Sequence, residues 1–290
     1  MGKADFHTHT FYSDGLLSPN ALFIKVKSFA ISTLAITDHD SVEHIPKEME
    51  LAKQYDLQFI PGCEVSAYQG GKDYHIIALN FVVDDPFFME YFQNYYTERL
   101  KRAEIIIRKF NNLGINITLE DVLKEANNAP IIRPHIARVI AKKGYAKDVK
   151  EVFSRFLYDN GPAYQPKITF PVRRAVELIQ SAGGVAILAH PANFFTNQEL
   201  ERCVKDGIDG IEVYHPLHSG EQSKFYLEFA KKNNLLVSGG SDFHNPYTDE
   251  KNLGRYSVTD LETELILEKS KKNKSKPIFK HIWSKLFSFL

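Results

Sequence analysis

The fold and the site of this 290-residue chain can be reasoned from Ala4-Asp5-Phe6-His7-Thr8-His9-Thr10 and the Ser13-Asp14-Gly15 that follows it. Side chains alternate between the two faces of a β-strand, so His7 and His9 lie on one face and can bind one cation. Asp14 follows on a loop that can fold back over them. A His-x-His pair alone is more typical of two surface histidines than of a metal site. However, four further segments carry the same residue types: Thr37-Asp38-His39-Asp40, Gly62-Cys63-Glu64, Ala189-His190-Pro191 and Gly240-Ser241-Asp242-Phe243-His244.

Short apolar runs alternate with amphipathic segments along the chain. The runs predict strands at residues 4–9, 33–37, 58–64, 75–82, 185–189, 210–213 and 235–238. Helical patterns lie between most of them, such as the one that begins at Ser18-Pro19, where serine caps the helix and proline occupies its first turn. This alternation predicts an α/β fold with a largely parallel sheet. Seven repeats favour a closed barrel over an open sheet.

The candidate site residues fall where predicted strands end. In β/α barrels the loops at the carboxyl ends of the strands carry the site. The residues that follow or finish a predicted strand are His9, Asp14, His39, Glu64, His190, His215 and Asp242. His75 is an exception because it begins its apolar run. Gly70-Gly71 predicts a hairpin turn that would return His75 to the level of Glu64.

Residues 86–165 read as helices only, which predicts a helical insertion between barrel segments 1–85 and 166–290. Within it, Arg133-Pro134-His135 begins a helix whose free N–H groups favour anions. The insertion is therefore a candidate lid with a phosphate-binding hook. Arg133 and His135 fit equally well as a surface salt bridge and a helix-end polar residue.

The overall composition indicates a globular protein of the cytoplasm. Lysine plus arginine equals aspartate plus glutamate at 36 each, so a polyanion has to be bound locally rather than by a general basic field. Two cysteines provide no disulfide framework, and no apolar run is long enough to span a membrane. After Pro277 an apolar stripe at helical spacing predicts a terminal helix. We expect it to pack on the barrel or on a partner subunit rather than on a membrane.

The His, Asp and Glu residues are too many for one ion. The candidate metal ligands are His7, His9, Asp14, His39, Glu64, His75, His190, Asp242 and His244. One cation takes about four to six ligands, so nine suit two or three divalent ions with Glu64 bridging. Mixed imidazole and carboxylate ligands favour Mn²⁺, Fe²⁺ or Zn²⁺ over Ca²⁺, with Mg²⁺ a weaker competitor. With three divalent ions, the carboxylates of Asp14, Glu64 and Asp242 would leave a net positive charge, and such a site favours a phosphate.

The segments quoted at the start, which contain these ligands, match in order the metal motifs of a known family, and so does His75. The chain resembles the PHP (polymerase and histidinol phosphatase) phosphoesterases over nearly its whole length. The resemblance implies a distorted (β/α)7 TIM-like barrel with a trinuclear site. It also implies three ligand sets: His7, His9, Glu64 and Asp242 for one ion, Glu64, His75 and His190 for the second, and Asp14, His39 and His244 for the third.

Within the family, the chain is similar to a stand-alone branch that acts on nucleotides. The segments that carry this likeness are Ile132-Arg133-Pro134-His135, Pro162-Ala163-Tyr164-Gln165-Pro166, Ile211-Glu212-Val213-Tyr214-His215-Pro216 and the terminal Pro277-Ile278-Phe279. Members of this branch remove the 3′-phosphate of nucleoside 3′,5′-bisphosphates or trim RNA as 5′-to-3′ exoribonucleases. Two departures are Phe6 in place of leucine and Asn160-Gly161-Pro162 in place of Gly-Lys-Pro. The second puts the details of phosphate contact in doubt.

The expected reaction is hydrolysis of a phosphoester in a nucleotide or short RNA by a metal-bridging hydroxide that attacks phosphorus in line. In it, Arg133 would bind a non-reacting phosphate, His135 would donate a hydrogen bond to it, and His215 would contact the substrate phosphate or the leaving oxygen. We expect Asp5, Asp38 and Asp40 to support the ligands, and His44, His218 and His281 to be solvated or structural. We expect no obligate protein partner.

Two other functions remain open from the sequence. The first is a phosphatase for a small non-nucleotide monoester such as histidinol phosphate. A lid with its own phosphate hook argues against it, because such a substrate has only one phosphate. The second is a non-catalytic metal-bound module. It is disfavoured because the whole ligand set is present.

Overall fold

The computed structural model describes residues 2–127, 129–167 and 170–275. Within these ranges strands alternate with helices, which confirms the predicted mixed α/β class. The strands are β1 (Lys3–Asp5), β2 (Ile31–Leu34), β3 (Gln58–Phe59), β4 (Gly62–Gln69), β5 (Lys72–Leu79), β6 (Val185–Leu188), β7 (Gly210–Tyr214), β8 (Leu236–Gly239) and β9 (Val258–Thr259). The helices are α1 (Pro19–Ser28), α2 (Ile45–Gln54), α3 (Pro86–Asn112), α4 (Leu119–Ala126), α5 (Arg133–Lys142), α6 (Val149–Val152), α7 (Val172–Ser181), α8 (Asn197–Lys205), α9 (Gly220–Lys232) and α10 (Asp260–Lys274).

The strands pair into two sheets, not into one continuous barrel. The first sheet has the order β3-β2-β1-β9 and the second the order β4-β5-β6-β7-β8. The second sheet is less parallel than predicted, since β5 runs antiparallel to both β4 and β6. The cause is the hairpin, which the structure confirms. Gly70 and Gly71 turn the chain with φ angles of 61° and 82°, a conformation that favours glycine, and no helical crossover follows β4.

Isolated bridges join the two sheets at or near the strand ends. Thr8 pairs with Phe243 next to β1 and β8, and His39 pairs with Glu64 next to β2 and β4. The N–H of His9 donates to the carbonyl of Phe243 at 2.8 Å. The hydrogen-bond ladder is therefore not closed in the described residues. The bridges bring the strand ends that carry histidines and acids to a single mouth.

Local sequence explains where helices begin. The Ser18 hydroxyl accepts from the N–H of Ala21 at 3.2 Å, and Pro19 is the first residue of α1, as the sequence predicted. The 27 residues of α3 follow Asp85, whose carboxylate accepts from the N–H of Phe88 at 2.9 Å. Capping of this kind satisfies N–H groups that have no partner within the helix.

The long helix α3 contributes to two separate apolar clusters. Phe88, Tyr91 and Tyr95 in its first half pack with the apolar side chains of β4, β5 and α7. Ile106 and Phe110 in its second half pack with side chains of α4, α5 and the segment around residues 152–157. The chain from 86 to 165 thus has apolar packing of its own, and its described residues form no strand.

The predicted terminal helix after Pro277 lies outside the described residues. Among the residues that are described, no helix combines the length and apolar character needed to cross a membrane.

Candidate metal centre

All nine predicted metal ligands meet at one mouth, and the carboxylate of Glu64 lies at its centre. Five imidazoles approach this carboxylate: His7 Nε2 and His9 Nε2 at 3.2 Å, His39 Nδ1 at 3.3 Å, His75 Nδ1 at 2.8 Å and His190 Nε2 at 3.0 Å. Glu64 is 1% exposed. These partners come from strand ends far apart in sequence, so only the tertiary fold assembles them around one side chain.

Two further carboxylates complete the mouth. Asp242 Oδ1 lies 3.2 Å from His7 Nε2, 3.4 Å from His9 Nε2 and 3.5 Å from His244 Nδ1. Asp14 Oδ1 lies 3.2 Å from His244 Nε2, and its Oδ2 lies 3.9 Å from His39. We call the nine residues the histidine cluster.

Backbone conformation at the mouth depends on one close contact and one left-handed residue. A Cβ atom at Gly240 would lie 2.3 Å from the Cβ of His7, which no side chain tolerates. Asp242 follows in the left-handed region with φ of 49°, and its N–H donates to the carbonyl of His7 at 2.8 Å. The Gly240-Ser241-Asp242 segment therefore passes directly against β1 and holds the Asp242 carboxylate at the mouth.

The groups of donor atoms close enough to share an ion overlap with the ligand sets implied by the resemblance. His9, Asp14, His39 and His244 form one group, which is the third implied set with His9 added. The other groups at the mouth are His7, Glu64 and His190; His39, Glu64 and His75; and His7, His215 and Asp242. Glu64 belongs to two of them, as a bridging ligand would.

The donor atoms suit divalent transition-metal ions. Ligands about 2.1 Å from an ion at tetrahedral angles lie about 3.4 Å apart, close to the spacings around Glu64 and Asp242. The Nε2 of His9 is buried and forms no hydrogen bond with a described residue. His7 directs Nδ1 at the buried Glu212 carboxylate at 3.0 Å, which leaves Nε2 to face the mouth. A carboxylate behind a ligating imidazole fixes its tautomer in this way.

Glu212 is a residue whose role the sequence did not reveal. Its second oxygen accepts from the N–H of His190 at 2.7 Å, so it supports two histidines of the cluster. The sequence signals were its place in the Ile211-Glu212-Val213-Tyr214-His215-Pro216 segment and its position in β7, where an acid occupies a strand that is otherwise apolar.

The buried acids of the cluster raise the pKa of some of its imidazoles but not of all. Burial alone would lower the pKa of His7, but Glu212, Glu64 and Asp242 raise it well above its ordinary value. For His244, burial lowers the pKa and Asp14 and Asp242 outweigh it, raising the pKa to about 10. His39 differs, because burial lowers its pKa to about 4 despite Glu64 and Asp14. Cations and protons therefore compete for the same imidazoles.

Asp5 and Asp38 hydrogen bond to the backbone of the loops at the mouth, and neither forms a hydrogen bond with a described imidazole of the histidine cluster. Asp5 accepts from the N–H groups of His7 at 3.2 Å and Ser241 at 3.0 Å. Asp38 accepts from the N–H of Thr10 at 2.7 Å. These carboxylates hold the backbone that carries the ligands.

Asp40 acts on the opposite wall. It accepts from the N–H of Ser66 at 2.7 Å and pairs with the guanidinium of Arg99, which is buried. A buried arginine requires such a partner, so Asp40 and Arg99 fix β4 against α3 beside Glu64.

His215 lies inside the mouth with its Nε2 3.3 Å from Asp242 Oδ2. Its Nδ1 accepts from the N–H of Leu217 at 3.1 Å, so in the neutral ring Nε2 carries the proton. A nitrogen that carries a proton donates hydrogen bonds and does not ligate a cation. His215 is therefore placed as a donor at the edge of the cluster.

His135 is 1% exposed, and both of its nitrogens are engaged. Nδ1 lies 3.4 Å from the N–H of Ile132, and Nε2 donates to the carbonyl of Ser13 at 2.8 Å. This leaves no ring nitrogen for the phosphate contact that we predicted. Instead, His135 links α5 to the loop that carries Asp14.

Arg133 faces a pocket of about 240 Å³ next to Asp14, His39 and His75. The sequence identified only this arginine, but Arg99, Arg102 and Lys167 also line the pocket. We call these four residues the cationic pocket.

Charge within the cationic pocket is only partly balanced. Asp73 lies 3.0 Å from Lys167 and 3.6 Å from Arg133. Burial lowers the pKa of Arg102 to about 10, and the neighbouring Arg99 and Arg133 add to the effect. Burial and Arg99 likewise lower the pKa of Lys167. A group of cations that repel one another at the edge of the histidine cluster favours an anion.

A second cavity of about 440 Å³ opens beside His75 and His190. Its walls include Tyr68, Tyr164, Phe194 and Phe195. We call this space the aromatic cavity. Phe194 is 57% exposed, so its ring is open to solvent at the rim of this cavity.

Comparison with known proteins agrees with this geometry. Residues 5–231 match the family model described as PHP domain. The chain is 31% identical over 249 residues to the 5′-3′ exoribonuclease Rnm of Escherichia coli, with 83% of this chain and 85% of the relative covered. It is 30% identical over 260 residues to a 3′,5′-nucleoside bisphosphate phosphatase of Chromobacterium violaceum, with 88% and 91% covered. A solved structure of a proposed metal-dependent phosphoesterase from Bifidobacterium adolescentis superposes with a TM-score of 0.82 at 27% identity, covering 92% of this chain and 96% of that one.

Proposed function

This chain belongs to the PHP domain family and is a hydrolase of phosphoric esters, and from that premise we propose that its substrates are nucleotides that carry a 5′-phosphate. The reaction we propose is hydrolysis of the ester at the 3′ side, either the 3′-phosphate of a nucleoside 3′,5′-bisphosphate or the first linkage of an RNA. The observation that carries the proposal is that the cationic pocket and the histidine cluster adjoin, since Asp14, His39 and His75 line the pocket as well.

The histidine cluster would hold two or three divalent ions, with Mn²⁺ our first choice and Fe²⁺, Zn²⁺ or Mg²⁺ possible by ligand chemistry. We propose His7, His9, Asp14, His39, Glu64, His75, His190, Asp242 and His244 as the ligands. When bound, such ions lower the pKa of water toward neutrality and stabilise charge on the phosphate oxygens. The protein contributes the fixed ligand positions, which Glu212 and Asp5 support.

His215 would act on the leaving group. Its Nε2 lies 3.3 Å from Asp242 Oδ2 in the mouth and forms no hydrogen bond with a described residue, and Nδ1 is held by the N–H of Leu217. A donor fixed in this orientation can hydrogen bond to the O3′ atom as the bond between O3′ and phosphorus breaks. The role that we predicted for His215 at the leaving oxygen therefore remains our proposal.

The cationic pocket would bind the 5′-phosphate. Arg133 and Lys167 are part-exposed and share Asp73, so they can turn toward a phosphate that enters the pocket. Arg102 adds a third cation from α3. Anchoring the 5′-phosphate holds the ester at the 3′ side over the histidine cluster. The same anchor serves both proposed reactions, because each one breaks the bond between O3′ and phosphorus.

The aromatic cavity would take the base. Every nucleobase has an apolar face that can stack on Tyr or Phe, so the cavity would accept different bases. This tolerance is what an RNA-trimming enzyme or a general bisphosphate phosphatase needs. A small monoester such as histidinol phosphate would leave both this cavity and the cationic pocket unfilled.

We further propose that the two sheets act as a single distorted (β/α)7 TIM-like barrel, formed by 1–85 and 166–290. The bridges at Thr8 and at His39 link the sheets on both sides. Residues 86–165 would be the inserted lid, because they carry Arg133 and have an apolar cluster of their own. We retain the cytoplasm as the compartment, since both cysteines are free and buried and the proposed substrates occur there.

Turnover of matched substrates tests the function. Nucleoside 3′,5′-bisphosphates and 5′-phosphorylated oligoribonucleotides should be hydrolysed with Mn²⁺ at a higher kcat/KM than 3′-mononucleotides and histidinol phosphate. Equal values for all four would remove the role of the cationic pocket. No hydrolysis of any of them would favour a non-catalytic module.

A further inference from the structure

A second set of His and acid side chains lies behind the histidine cluster, buried beneath the loop that carries Asp14. It consists of Asp38, His44 and Glu48, and we call it the buried triad. His44 precedes α2, and Glu48 lies one turn later, so the two side chains project from the same side of the helix. We expected His44 to be solvated or structural, and at 7% exposure it is not solvated.

The carboxylate of Glu48 has no hydrogen-bond partner among the described residues. The side chain is fully buried, and neither Oε1 nor Oε2 accepts a hydrogen bond. No lysine or arginine in the described ranges forms an ion pair with it or with Asp38. Burial, together with the charge of Asp38, raises the pKa of Glu48 well above its ordinary value. A buried carboxylate of this kind is costly unless a cation or a proton neutralises it.

The distances within the buried triad match those of a metal site. His44 Nε2 lies 3.2 Å from Asp38 Oδ2 and 3.5 Å from Glu48 Oε1. Four ligands about 2.1 Å from Zn²⁺ at tetrahedral angles lie about 3.4 Å from one another. One imidazole nitrogen and one oxygen from each carboxylate supply three of the four donors of this geometry.

The surroundings of His44 also suit a ligand. Its Nδ1 lies 3.4 Å from the Ser41 hydroxyl, which can accept the ring proton and leave Nε2 free to bind. Tyr12 stacks on the other side of the ring with centroids 4.2 Å apart, and so fixes its orientation and excludes water. Nε2 itself forms no hydrogen bond with a described residue.

We propose that Asp38, His44 and Glu48 form a structural binding site for one divalent transition-metal ion, with Zn²⁺ the best fit. Two carboxylates and a neutral imidazole carry two negative charges, which one divalent ion balances. The site is separate from the histidine cluster but supports it. Asp38 precedes His39 in the chain, and it also accepts from the hydroxyl of Ser13, the neighbour of Asp14, at 2.5 Å. An ion bound to Asp38 would therefore hold the loops that carry two ligands of the cluster.

Crystals of the wild-type protein soaked in Zn²⁺ provide the direct test. Anomalous difference maps at the zinc edge should show a peak between Asp38 Oδ2, His44 Nε2 and Glu48. Peaks in the histidine cluster serve as an internal control for loading. Peaks there with none in the buried triad would overturn this inference and leave the proposed function intact. A peak in the triad with none in the cluster would support this inference and contradict the proposed function.

Metal analysis of variants provides the second test. Glu48→Gln keeps the shape of the side chain and removes its charge, and Glu50→Gln on the same helix is the matched control because Glu50 is exposed and pairs with Lys53. After loading with Zn²⁺ and removal of free ions, Glu48→Gln should contain one ion per chain fewer than wild type, whereas Glu50→Gln should match it. The rise in Tm that Zn²⁺ produces should also be smaller in Glu48→Gln. Equal zinc content and an equal rise in all three proteins would contradict the site.

Discussion

The histidine cluster and the cationic pocket are neighbours, yet they attract ions of opposite charge and are formed by different kinds of secondary structure. In the cluster, acids and imidazoles lie at strand ends and face one another around Glu64, so the site attracts cations. In the pocket, Arg102 and Arg133 come from helices and Lys167 from the segment that follows them, so the site attracts anions. Asp14, His39 and His75 belong to the histidine cluster and also line the cationic pocket.

Because of this difference, the cluster and the pocket can bind two different points of one substrate. Ions in the cluster would act on the phosphate that reacts, whereas the pocket would hold a phosphate that does not. A substrate with both phosphates is bound in one orientation only. Changes in the cluster should therefore stop the reaction, and changes in the pocket should alter which substrates react.

Removal of a cluster ligand should have the largest effect. Asp242→Ala or His9→Ala should lower kcat/KM on the order of 1000-fold or more for every substrate, because loss of a contact behind a ligand already costs about 10- to 100-fold. The fold should persist, since these residues lie at the mouth and not in an apolar cluster. Metal content, activity and circular dichroism measure these effects. Asp84→Ala, at an exposed position, is the control. Global unfolding of either ligand variant would contradict the assignment.

Removal of the anchor in the pocket should have a smaller and selective effect. Arg133→Ala should weaken transition-state binding of substrates with a second phosphate by about 2–4 kcal/mol, the range for losing one partner of a buried charge pair. Metal content and turnover of 3′-mononucleotides should not change. The exposed Arg155→Ala variant in the same helical segment is the comparison. An equal loss on both substrate classes would place Arg133 outside the second phosphate site.

Changes in pH should separate the two sites. His244 has a pKa of about 10 without metal, so it is protonated near neutrality and must lose its proton to bind an ion. Affinity for Mn²⁺ should thus rise with pH, by about tenfold per unit for each proton displaced, between about pH 7 and 9. Guanidinium groups keep their charge over this range, so the KM contribution of the 5′-phosphate should change far less. Isothermal titration with Mn²⁺ at several pH values measures the slope, and a flat profile would argue against ligation by His244.

Truncation of the aromatic cavity should have the smallest effect. Phe194→Ala should raise KM for nucleotides about 5- to 30-fold, equivalent to about 1–2 kcal/mol of lost stacking, with kcat nearly unchanged. Phe225→Ala, at an exposed position in α9, is the matched control. Steady-state kinetics with and without a base on the substrate would detect the difference. An unchanged KM would mean that the base binds elsewhere.

The sequence alone predicted a large part of the cluster because its residues recur as short motifs after apolar runs. His7 and His9 share a face by strand periodicity alone, and the Gly70-Gly71 turn returned His75 toward Glu64. The sheet organisation was harder to predict. That same hairpin makes β5 antiparallel to β4 and β6, and strand pairing depends on which edges meet in space.

The pocket shows the opposite case. Arg99, Arg102 and Lys167 are ordinary residues of helices and connectors, and nothing in their spacing separates them from surface charges. The role of Glu212 and the engagement of His135 by Ser13 were likewise invisible, because both depend on contacts between distant segments. The sequence determined which side chains can ligate ions, since that follows from their chemistry and local periodicity. The tertiary structure decided which of them face one another and which cations lie beside them, since burial and distance set the strength of charge interactions and arise only when the chain is folded.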